Sequence, residues 1–147
     1  MFKRIKELLH RIWESVSINS RDKTIPLAAP SVEEAILPFD PEDYTIHPHE
    51  LKYMIETGRG FVLLDVREKW EYELVHIEGA VSIPLGELPR RFRELTPVDE
   101  IIVYCHHGMR SLDAACLLQQ LGFKFVLSLV GGIDKWASEI DHDLHRY

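Results

Sequence analysis

Residues 101–111 read "IIVYCHHGMRS". Ile101, Ile102, Val103 and Tyr104 are all β-branched or aromatic, the composition of a strand covered on both faces. The run stops at Cys105. His106, His107, Gly108, Met109, Arg110 and Ser111 follow, and they open the helical segment "RSLDAACLLQQLG". A strand, a short loop and a helix together form the repeating unit of a parallel α/β sheet. In such sheets reactive groups collect beyond the carboxyl ends of the strands. Cys105 is thus expected where loop N–H groups and the positive end of a helix converge, a setting that favours an anionic, nucleophilic sulfur. Gly108 allows tight curvature through positive φ. Arg110 adds a fixed positive charge, and His106 and His107 add partial charge or hydrogen bonds.

The flanking sequence alternates in the same way. "YTI" (44–46) reads as a short edge strand, and "HPHELKYMIETG" as a helix with Pro48 near its start and Gly58 past its end. "FVLLDV" is a buried strand, "KWEYEL" a short helix or turn, "AVSIP" a strand and "LPRRFREL" a helix. "FVLSLV" is the last strand and "IDKWASEI" the last helix. The alternation predicts an α/β domain over residues 44–147, with a mainly parallel central sheet of about five strands and helices on both faces.

The remaining 43 residues differ in character. Phe2, Ile5, Leu8, Leu9, Ile12, Trp13 and Val16 form one face of an amphipathic helix over residues 1–19. That stripe is expected to pack on the domain or on a second subunit rather than to lie on a membrane surface. Residues 20–43 carry Pro26, Pro30, Pro38 and Pro41 without periodicity and read as a linker or extended arm.

Composition narrows the function. A chain of 147 residues, 46% apolar and 28% charged, fits one soluble globular domain. No apolar run reaches the roughly 18 residues of a membrane span, and the N-terminus lacks the uninterrupted apolar core of a secretory signal. The net charge of −7 argues against a nucleic-acid binder. Two cysteines, Cys105 and Cys116, make no disulfide framework, so both are expected as reduced thiols in the cytoplasm. Cys116, among Ala114, Ala115, Leu117 and Leu118, reads as a core residue. Adjacent Cys-His-His is not a chelating spacing, and the pairs His47/His49 and His142/His145 are isolated. Neither a metal nor any other cofactor is expected.

Four motifs in order resemble the rhodanese-like sulfurtransferases over roughly residues 44–141. They are "LLDVRE" (63–68), "HIEGAVSIP" (76–84), "VYCHHGMRS" (103–111) and "LVGGIDKW" (129–136). The resemblance implies a rhodanese-like fold and a double displacement. Cys105 would attack the outer sulfur of a donor such as thiosulfate and become a persulfide. A thiol or cyanide would then accept that sulfur. The loop from His106 to Ser111 would cradle the anionic sulfur, with Arg110 and the histidines binding the donor. Asp65, Arg67 and His76 would be supporting scaffold, and Trp136 core. A protein acceptor, or self-association through the N-terminal helix, is a further expectation. Two rivals stand beside this reading. One is a non-catalytic binding or regulatory module of the same fold. The other is a Cys-dependent phosphatase, whose loop has five residues between cysteine and arginine where this chain has the four from His106 to Met109.

Overall fold

The structure is a computed structural model, and it describes residues 41–147. The expected helix over residues 1–19, and all but the last three residues of the arm, lie outside the described residues.

A compact unit spans Tyr44–Tyr147. After a 3-10 turn at Pro41–Tyr44, the chain forms β1 (Thr45–Ile46), α1 (Pro48–Glu56), β2 (Val62–Asp65), α2 (Lys69–Leu74) and β3 (Val81–Ser82). Then come α3 (Leu88–Arg91) with a 3-10 turn at Phe92–Glu94, β4 (Glu100–Tyr104), α4 (Met109–Gln120), β5 (Phe125–Leu129) and α5 (Gly132–Glu139). The five strands make one sheet in the order β1-β5-β4-β2-β3, and every pairing is parallel.

β4 is the central strand because it is apolar toward both faces. Ile101, Val103 and Cys105 join one core layer with Leu64, Leu88, Ala114, Ala115 and Leu118, the side of α3 and α4. Ile102 and Tyr104 join the other with Leu51, Met54, Leu63, Ile133 and Trp136, the side of α1 and α5. This period-two alternation places helices on both faces, as the sequence predicts. The side chain of Cys105 continues the alternation and points to the α4 side.

Two elements are shorter than their patterns suggest. The segment "LPRRFREL" is a single α turn followed by a 3-10 turn. The strand in "AVSIP" holds only Val81 and Ser82 as regular ladder. Beyond it the Ile83 N–H donates to Asp65 and the Leu85 N–H to Val66, while Pro84 between them has no N–H to give.

The helix starts follow local chemistry. Glu50 accepts the His47 N–H at 2.9 Å and Glu71 accepts the Glu68 N–H at 2.9 Å, each three residues into its helix. Gly108 and Gly131 precede α4 and α5 with φ of 109° and 74°.

Candidate active site

Cys105 follows the last residue of β4, and its side chain is almost fully buried. Two backbone N–H groups nevertheless point at its sulfur, that of Gly108 at 3.1 Å and that of Ser111 at 3.3 Å. The thiol also lies 3.5 Å from Ser111 Oγ. Ser111 is fully buried. Its hydroxyl donates to the Gly108 carbonyl at 3.1 Å and lies 2.7 Å from Ser128 Oγ. The loop is thus a small nest of donors around one sulfur atom, the arrangement that holds a negative charge.

The outside of the loop is held by α5. The N–H groups of Ile133 and Asp134, in the first turn of α5, donate to the carbonyls of Cys105 and His106 at 2.8 and 3.1 Å. That approach requires glycine at 132, because a Cβ there would collide with those same two carbonyls. The "GG" of residues 131–132 therefore docks one helix end against the loop that precedes another.

Charged residues surround this core in pairs. Asp65 and Arg67 are fully buried. The Arg67 guanidinium donates to both Asp65 oxygens from Nε and at 2.6 Å from its second terminal nitrogen, and at 2.7 Å to the Val75 carbonyl. Burial works against the Arg67 charge more than any single partner favours it, but the hydrogen bonds and charge of Asp65 together with the Tyr147 hydroxyl outweigh it, and its pKa rises. Arg110 forks onto Glu71 at 2.7 and 2.9 Å. This fork, against the effect of burial, holds the Glu71 carboxyl at about 2. Tyr147 joins the two pairs: its hydroxyl accepts from Arg67 at 2.7 Å and donates to Glu71 at 2.8 Å.

The rim is aromatic. The Tyr147 ring stacks on His106 with centroids 4.3 Å apart, and His106 stacks on His107 at 3.9 Å. Trp70 meets Tyr147 edge-on at 6.0 Å. Burial, with His107 alongside, pushes the His106 pKa down.

The structure therefore brings Cys105, Gly108 and Ser111 into direct contact and sets His106, His107 and Arg110 around them. Met109 is three-quarters exposed. Asp65 and Arg67 are a fully buried ion pair. His76 is exposed; its Nδ1 lies 2.9 Å from the Tyr72 carbonyl and its ring stacks on Tyr72, away from the cysteine loop. Trp136 is buried core. Cys116 differs from expectation: it is a half-buried free thiol 3.8 Å from Gln120 Nε2, on the flank of α4 rather than in the core.

Three site residues escaped the sequence reading. Ser128 had a usable signal, a lone hydroxyl in the apolar run "FVLSLV". Glu71 and Tyr147 had none, since their partners lie 39 and 80 residues away. Among the described residues, no three His, Cys, Asp or Glu side chains converge as metal ligands. No helix there is long and apolar enough to cross a membrane.

A family model described as "Rhodanese-like domain" matches residues 47–139. The chain belongs to this family. Among curated relatives, a putative sulfur carrier protein, YrkF of Bacillus subtilis, is 42% identical over 90 residues, 61% of this chain and 49% of that protein. A thiosulfate sulfurtransferase, GlpE of Coxiella burnetii, is 36% identical over 80 residues, 54% of this chain and 75% of its own length. A probable adenylyltransferase/sulfurtransferase, MoeZ of Mycobacterium tuberculosis, is 35% identical over 70% of this chain but only 27% of its own. The chain thus spans from about a quarter to three quarters of these relatives. A rhodanese-related protein from Thermoplasma volcanium superposes with a TM-score of 0.61 at 32% identity, covering 66% of this chain and 93% of that one.

Proposed function

We propose that this protein is a sulfurtransferase that carries sulfane sulfur as a persulfide on Cys105. The observation that supports it is the pair of N–H groups, from Gly108 and Ser111, aimed at a buried sulfur. Membership of the rhodanese-like family, with relatives named as sulfurtransferases and a sulfur carrier, supports the same reading.

The chemistry is two displacements. The Cys105 thiolate attacks the outer sulfur of thiosulfate, the S–S bond breaks, and sulfite leaves with the electron pair. A cyanide or thiolate acceptor then attacks the outer sulfur of the persulfide, and the Cys105 thiolate leaves. There is no net oxidation, and no cofactor is needed. Gly108 and Ser111 stabilise the sulfur anion at each stage. The Glu71 fork occupies two of the five N–H groups of Arg110, and the others are available to an anionic donor. Relatives named as a sulfur carrier and as adenylyltransferase/sulfurtransferases favour a protein thiol as the acceptor in the cell, the cytoplasm being the expected setting.

Intact-mass measurement after incubation with thiosulfate tests this. A species one sulfur atom heavier is expected for the native chain and is expected to be absent from Cys105→Ser. If thiosulfate, alkyl persulfides and polysulfide all leave the mass unchanged, the proposal fails. Turnover of an aryl phosphate would instead support the phosphatase, and an inert chain that captures a defined protein would support the binding module.

A further inference from the structure

The residues that follow α5 do not trail away from the domain. Asp141 and Leu144 close a turn through a hydrogen bond of 3.1 Å, and the next residues return to the cysteine loop. Arg146 forks onto Asp134 at 2.8 and 3.1 Å. Asp134 is the residue whose own N–H holds the His106 carbonyl. One residue of α5 thus grips the loop with its backbone and the tail with its side chain. Tyr147, one position on, is more than a third exposed. An exposed tyrosine ordinarily needs no partner, yet this one has four: Arg67, Glu71, His106 and Trp70.

We propose that Tyr147 is a positioning residue of the Cys105 site: its hydroxyl couples the Asp65–Arg67 pair to the Glu71–Arg110 pair, and its ring holds His106 against the loop. Each half has a separate consequence. Glu71 accepts from Arg110 twice, from the Glu68 N–H and from Tyr147. Without the tyrosine hydroxyl, Glu71 loses one anchor and Arg67 loses an acceptor. Arg110 then keeps its fork but on a looser carboxylate, so the donor is bound less well. The sulfur cradle of Gly108 and Ser111 does not involve Tyr147. The ring acts on His106 instead. It covers one face of the imidazole; burial bears most on the charge of His106, and the charged groups that face it are His107 beside it, Asp134 of α5, Glu71 of α2 and Arg67 after β2. Uncovering that face returns His106 to solvent and makes it easier to protonate.

The inference rests on the sulfurtransferase reading for its kinetic arm only. Full-length Tyr147→Phe and Tyr147→Ala are compared with the native chain in steady-state sulfur transfer from thiosulfate to cyanide and in the NMR titration of the His106 ring. Tyr147→Phe is expected to raise KM about tenfold, the weight of one hydrogen bond, with little change in kcat and an unchanged His106 midpoint. Tyr147→Ala is expected to show the same KM and, in addition, a His106 midpoint moved upward. Native KM and native midpoint in both variants would overturn the proposal. So would a loss of rate that only tracks loss of folded protein while the His106 midpoint stays fixed. If the native chain takes sulfur from no donor, the functional reading fails, and the His106 titration still decides this one.

Discussion

At Cys105 an apolar layer and a polar nest meet within one residue. The residue directly follows β4 and continues its alternation, so the side chain joins the core layer of Ala114, Ala115 and Leu118. Within the next six residues, the N–H groups of Gly108 and Ser111 turn back to the sulfur. Ser111 is the residue that closes the nest, because its backbone and hydroxyl both face inward. Ser111→Ala is expected to lower stability by about 1–3 kcal/mol, since the buried Ser128 hydroxyl and the Gly108 carbonyl each lose a partner. It is expected to slow persulfide formation without abolishing it, as both N–H donors remain. Urea denaturation and timed mass measurement read the two effects, and native values in both would show that the hydroxyl is idle. Cys116 provides the contrast. It is a half-buried thiol with one long contact, so Cys116→Ala is expected to transfer sulfur at the native rate. A collapse of turnover in a stable protein would make it a second working thiol.

At the level of elements, the site is a joint between two helix starts. α4 begins just after the cysteine loop and α5 begins against the back of it, with Gly132 at the closest approach. Gly132→Ala demands both a strained φ, here 59°, and displacement of two carbonyls. It is expected to cost at least about 2 kcal/mol and to loosen the loop, which faster amide exchange at Ile133 and Asp134 would report; an unchanged melting temperature would count against this account. This joint was legible as a glycine pair in the sequence, but not its purpose. The strands were legible because burial of both faces of β4 leaves an unbroken apolar run, and the cysteine loop because a polar stretch follows it abruptly. Arg110 was legible as a charge but not as half of a pair. Nothing in "KWEYEL" marks Glu71 as its partner, since local rules extend about four residues along a helix, and only the closing of the sheet brings α2 to α4.

Over the whole domain, net negative charge coexists with a site whose ionised groups are matched one to one. Glu71 is the member that ties this to solution conditions. Its carboxyl sits at about 2 in the fold against an ordinary 4.5. A depressed acid contributes stability that is complete above the ordinary value and is lost as pH falls through the folded one. Denaturation midpoints are therefore expected to hold above about pH 5 and to drop between roughly pH 4.5 and 2. Glu71→Gln is expected to flatten that drop while lowering the plateau by about 1–3 kcal/mol. An unaltered slope in the variant would remove Glu71 from the account. The same pairing explains why the charge total could argue against a nucleic-acid surface and yet say little about the donor: composition counts charges, whereas the fold decides which of them are already answered.

The depth of Cys105 also bears on what a second thiol would do on arrival. A persulfide has two sulfurs open to attack. Attack on the outer one passes sulfur onward, while attack on the inner one yields a mixed disulfide and releases hydrogen sulfide. The inner sulfur would belong to a residue that is 1% exposed, and the outer one would stand about 2 Å beyond it. In the proposed persulfide, burial of Cys105 would thus select the product as well as the nucleophile, by leaving an incoming thiol one atom to reach.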